Sequence, residues 1–156
     1  MGRGTWVDDD LGHDGSSDAL LLAIGEEYEP YDTVTNFEDL RAWQYARALT
    51  KLIYQLSVRT PLSQDFGLCR QMQRSAVSIM SNIAEGHERG STREYLRFLN
   101  FAKASCAELR SQAYVLYDVG YIDQPAFEQL LSRITSLNQL TGALRAAIAR
   151  RVANQT

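Results

Sequence analysis

From Tyr95 onward, apolar residues recur at steps of 4, 3, 4, 3, 4 and 3: Tyr95, Leu99, Ala102, Cys106, Leu109, Ala113 and Leu116. That spacing keeps all seven on one side of an α-helix for about three heptads, the pattern of a helix packed lengthwise against others. Ser91-Thr92-Arg93-Glu94 before it reads as a capping box, and Gly120 after it reads as a stop. A second seam follows in Phe127, Leu130, Ile134, Leu137, Thr141, Leu144 and Ile148, with steps of 3, 4, 3, 4, 3 and 4. Its helix starts at Asp123, and Pro125 falls in the first turn, where a missing N–H costs little.

Two earlier helices are predicted by weaker stripes. Leu40, Trp43, Ala46, Leu49, Ile53 and Leu56 define the first, running to about Ser57. Thr35-Asn36-Phe37-Glu38 reads as its capping box, so it is expected to start near Asn36. Val58-Arg59-Thr60-Pro61 ends it, because proline disfavours a helical residue before it. Leu68, Met72, Ser75 or Ala76, Ile79 and Ile83 face inward on the second, which begins around Ser63 or Asp65. Beside them Ser75, Ser78 and Asn82 form a polar stripe at three- and four-residue spacing. The second helix is expected to close between Gly86 and Gly90, where glycine can adopt the left-handed conformation. Short connections make neighbouring helices antiparallel. The fold class is therefore all-α: an up-down-up-down four-helix bundle over residues 35–153. No strand alternation or internal repeat is present.

Charge divides the chain. Residues 1–36 hold nine acids and one base, a charge of −8, whereas residues 37–156 hold ten acids and fifteen bases, a charge of +5. Gly2, Gly4, Gly12, Gly15, Ser16 and Ser17 make residues 1–34 an acidic, largely disordered extension. A short helix over 18–24 fits within it, with Asp18 as N-cap and Gly25 as stop. The longest apolar run, Ala19 to Ile24, is far short of the roughly 20 residues of a membrane span. Asp8-Asp9-Asp10 stands where a secretory signal would carry bases. The expected compartment is the cytoplasm.

Little in the sequence points to catalysis. Cys69 and Cys106 lie inside helical patterns and read as packed thiols. A di-iron bundle needs Glu-x-x-His pairs, and the chain has only His13 and His87. Ser78 and Ser81 have no credible histidine base. The expectation is no enzyme, no metal and no cofactor.

Several runs resemble a known family. Phe37-Glu38-Asp39-Leu40 with Trp43-Gln44, then Gln71 and Arg74-Ser75-Ala76-Val77-Ser78-Ile79, then Ser81-Asn82-Ile83-Ala84-Glu85-Gly86 and Arg89, look like the four-helix bundle proteins of the 23S rRNA intervening-sequence type. Glu94, Leu96, Phe98-Leu99, Ala102, Ser105, Glu108-Leu109, Leu116 and Gly120-Tyr121-Ile122 continue the pattern. The chain departs from it at Met80, where proline is common, and in the acidic extension. The resemblance implies a homopentameric ring with no established enzymatic activity. It also brings in association with RNA or DNA as a further expectation.

Two groups of side chains are candidate sites. Asn82, Glu85, Arg89, Glu94, Ser105 and Glu108 form a polar set suited to pinning the turn between helices two and three, or the register of a subunit interface. A pocket for a ligand is the alternative. Arg70, Arg74, Arg89, Arg93 and Arg97 form the candidate nucleic-acid patch, because like charges four apart repel unless an anion meets them. Tyr95 and Phe98 are candidates for stacking bases. The expected partners are further copies of the chain, with RNA or DNA second and no membrane.

Overall fold

The computed structural model describes residues 34–154. The expected extension, apart from Val34, and its short helix over 18–24 lie outside the described residues. Four helices make up the body: α1 Arg41–Ser57, α2 Phe66–Glu88, α3 Thr92–Asp118 and α4 Gln124–Asn154. Two single 3-10 turns, Phe37–Asp39 and Leu62–Gln64, precede α1 and α2. No strand occurs among the described residues.

Cross-helix contacts fix the directions. Ser75 of α2 meets Glu108 and Gln112 of α3, while Ser78, further along α2, meets Ser105, earlier on α3. On α3 and α4, Tyr114 meets Phe127, whereas Asn100 meets Arg145. Later residues on one helix thus oppose earlier residues on the next, and the helices alternate up and down. α1 closes the bundle by packing on both α2 and α4.

The two heptad seams are the core. Every predicted α3 seam residue is buried, from Tyr95 to Leu116. On α4, Leu130, Ile134, Leu137, Thr141, Leu144 and Ile148 are buried, and Phe127 is half-buried. Buried Thr141 satisfies its hydroxyl by donating to the Leu137 carbonyl at 2.8 Å, so it can occupy a core layer. On α2, Met72, Ser75, Ala76, Ile79 and Ile83 are buried, with Leu68 at the margin.

The ends differ from expectation in two places. α1 starts at Arg41, not near Asn36, because Leu40 is extended at ψ 122° and separates the Phe37–Asp39 turn from the helix. The capping box at Thr35 does not form; the Asn36 amide instead reaches Asp39 at 3.5 Å. Trp43 consequently sits half-buried against Phe37, ring centroids 5.2 Å apart, and Ala42 and Leu52 take core positions not assigned to them. α2 ends at Glu88, within the expected Gly86–Gly90 interval, but no glycine closes it; Arg89 caps it with φ −78°.

The other caps follow the chemistry of their residues. Asp65 accepts the Leu68 N–H at 3.0 Å, Ser91 accepts that of Glu94 at 3.5 Å, and Asp123 accepts that of Ala126 at 3.0 Å. Gly120 has φ +76°, which lets its N–H reach the Tyr117 carbonyl and the Tyr121 N–H reach Leu116. That pair of bonds is the Schellman closure.

Candidate functional site on helices two and three

The polar stripe of α2 faces α3 and forms a ladder. Ser78 and Ser105 hydroxyls lie 2.9 Å apart, and the Asn82 amide donates to the Ser78 hydroxyl at 3.0 Å and carbonyl at 2.8 Å. One layer away, the Ser75 hydroxyl donates to Glu108 Oε2 at 3.3 Å and accepts from Gln112 Nε2 at 3.1 Å. Small hydroxyl residues allow the helices to approach while each satisfies its neighbour. Gln112 Oε1 is the exception: it is buried and has no hydrogen-bond partner among the described residues.

Gly86 belongs to the same seam. It is buried inside α2, and an added Cβ would lie 2.8 Å from Phe98 Cβ and 2.8 Å from Tyr95 Cδ2. The glycine serves close approach by α3, not a left-handed turn.

The polar set thus splits into separate groups. Asn82, Ser105 and Glu108 join the ladder. Glu85 and Arg89 form an exposed ion pair at the turn, and the Arg89 guanidinium lies 4.9 Å from the centre of the Phe98 ring. Glu94 sits 3.8 Å from Arg97, which lies 5.5 Å over Phe101. Gln112 and Phe101 were absent from the sequence-based set. Their signals were four-residue spacing from Glu108 and Arg97 respectively.

The arginines divide as well. Arg89, Arg93 and Arg97 gather where α2 turns into α3. Arg70 and Arg74 lie toward the opposite end, since the 19 residues from Arg70 to Arg89 span roughly 28 Å of helix. Tyr95 cannot stack on a base: it is buried and meets His87 edge-on, centroids 6.0 Å apart. Phe98 is half-buried beneath Arg89, whereas Phe101 is exposed.

The remaining reactive groups are tied into packing. Burial pushes the Cys106 thiol up to about 12 against the opposing pull of Lys103, so it stays protonated and poorly nucleophilic. Cys69 approaches the Leu62 carbonyl at 3.1 Å. The Tyr121 phenol donates to Asp65 at 3.2 Å, and that bond holds its pKa above the ordinary value. Among the described residues, no group of three or more His, Cys, Asp or Glu side chains could hold a metal ion, and no helix is long and apolar enough to cross a membrane.

Comparison with known proteins agrees with this architecture. A crystal structure of a protein of unknown function from the S23 ribosomal protein family of Bacteroides thetaiotaomicron VPI-5482 superposes with a TM-score of 0.61 at 23% identity, covering 66% of this chain and 96% of that one. At that identity the likeness speaks for the fold. None of the curated proteins compared with the chain matches it. The sequence profile of the 23S rRNA-intervening sequence proteins matches residues 38–143, which take in α1, α2, α3 and most of α4. The chain is a member of the 23S rRNA-intervening sequence protein family.

Proposed function

We propose that this chain is the subunit of a non-enzymatic homo-oligomer, built as a ring of bundles, that serves as an assembly or accessory protein. The observation that carries the proposal is the outward side of α3. Phe101, Ala104, Glu108, Ser111 and Val115 repeat there at steps of 3, 4, 3 and 4, with Val119 one turn on. Phe101, Val115 and Val119 are 45%, 43% and 53% exposed. Such a stripe on a helix that already has a buried seam favours a second packing partner. Gln112 Oε1, which has no hydrogen-bond partner among the described residues, lies one residue from Ser111 of that stripe, and a donor from a neighbouring subunit would satisfy it.

The test is sedimentation velocity on the full chain over a wide concentration range. The proposal expects an oligomer, with five copies the family-based expectation. Phe101→Asp combined with Val115→Asp should yield a helical monomer. A wild-type chain that sediments as a monomer throughout overturns the reading.

A second reading, a nucleic-acid accessory protein, is favoured by the α2–α3 corner. Arg93 has no carboxylate partner among the described residues, and Arg97 lies over exposed Phe101. RNA binding that weakens with salt and falls in Arg93→Gln/Arg97→Gln would support it. Binding unaffected by that pair would remove it.

A further inference from the structure

The positive charge of the body does not reside where the arginine spacing pointed. α1 carries Arg41, Arg47 and Lys51 and no acid. α4 carries Arg133, Arg145, Arg150 and Arg151 against Glu128 alone. Together they hold a charge of +6. α2 is balanced, with Arg70 and Arg74 against Glu85 and Glu88, and α3 is only +1. α1 and α4 pack on one another, so the two basic helices form one side of the bundle. Arg41, Arg47, Lys51 and Arg150 are exposed, and none pairs with a carboxylate among the described residues. Glu38 and Asp39, in the turn before α1, are the only acids between Val34 and Gln64.

The acidic part of the chain joins at the right place. The Val34 carbonyl lies 3.5 Å from His87 Nε2, near the end of α2. The C-terminal part of α4 lies at that same end, since Arg145 donates to Asn100 of early α3 at 2.6 Å. Glu26, Glu27, Glu29 and Asp32 are within eight residues of Val34, a reach of roughly 26 Å at full extension. An unbalanced basic side and a chain of opposite sign attached at its edge attract at high effective concentration.

We propose that the α1–α4 side is a docking surface for an acidic peptide, and that its resident occupant is this chain's own segment Glu26 to Asp32. The segment covers the surface and raises the threshold for any other polyanion. This inference does not depend on self-association or on the arginines of α2 and α3.

The test uses the full chain and a fluorescein-labelled decaglutamate peptide as probe, followed by anisotropy at low salt. Neutralising the segment with Glu26→Gln, Glu27→Gln, Glu29→Gln and Asp32→Asn should tighten probe binding by about tenfold. Adding Arg41→Gln/Lys51→Gln should abolish that gain. Adding Arg70→Gln/Arg74→Gln, which removes the same charge from α2, should leave it intact. No gain on neutralisation overturns the proposal. So does a gain lost equally with either pair, which would be an effect of net charge alone. Circular dichroism of each variant confirms that the bundle is retained.

Discussion

Gly86 of α2 and Phe98 of α3 approach so closely that a single methyl group has no room between them; it would lie 2.8 Å from Phe98 Cβ. Phe98 Cβ is anchored to the α3 backbone, so it cannot swing aside as the end of a long side chain could. Tyr95 Cδ2, also at 2.8 Å, belongs to a buried ring. Gly86→Ala gains about 1 kcal/mol of helix propensity. Overpacking a fitted contact costs typically about 1–3 kcal/mol, so a net destabilisation of up to about 2 kcal/mol is expected. Urea unfolding checks this, and a variant as stable as wild type would show that the helices separate at little cost.

The ladder beyond Gly86 gives a second prediction. Ser105→Ala leaves Ser78 with the Asn82 amide, whereas Ser78→Ala removes a partner from both Asn82 and Ser105. Ser78→Ala should therefore be the more damaging single change, with each in the range of about 0.5–2 kcal/mol. A double-mutant cycle should give a coupling of about 0.5–1.5 kcal/mol between the hydroxyls. A coupling near zero would mean that water replaces their contact.

How far these features could be read in advance depended on whether they are local. The α3 and α4 seams were legible because a heptad specifies burial along one helix, and the core uses all those positions apart from the half-buried Phe127. Ser91 and Asp123 were legible as helix starts because a cap needs only the next three residues. The start of α1 was not. Nothing in Thr35 to Glu38 records that Leu40 is extended and Trp43 turns onto Phe37. The packing role of Gly86 was not legible either, because its partners Tyr95 and Phe98 lie nine and twelve residues further along, on another helix. The basic side of α1 and α4 is present in the sequence, but its bases are spread over two helices far apart along the chain and form no run at helical spacing. Its signal is the lack of acids from Leu40 to Gln64 and from Gln129 onward.

Gln112 separates the energetics of the subunit from those of assembly. Its Oε1 is buried without a partner among the described residues, and its Nε2 gives one bond to Ser75. Replacing a half-satisfied buried amide by a thioether of similar length should be close to neutral for folding, within about 1 kcal/mol. If a second copy supplies the missing donor, Gln112→Met removes that bond and weakens association. The expected outcome is an unfolding midpoint close to wild type when the subunits are dissociated, with a sedimentation boundary shifted toward smaller species. An unchanged oligomer would place the partner surface elsewhere.

Cys106 gives a pH dependence with a definite sign. Its thiol ionises near 9.0 in an exposed setting and near 12 when buried in the fold. The folded state therefore holds its proton after the unfolded state has lost it. Stability from this group is complete below pH 9 and is lost as pH rises toward 12. The slope in that window is at most about 1.4 kcal/mol per pH unit. Cys106→Ala removes the titration but keeps Tyr121 and the other alkaline groups. The difference in unfolding free energy between wild type and Cys106→Ala should therefore be flat to pH 9 and narrow above it. A difference constant to pH 11 would mean that the thiolate forms without opening the core. A thiol reagent should then label Cys106 in the folded protein.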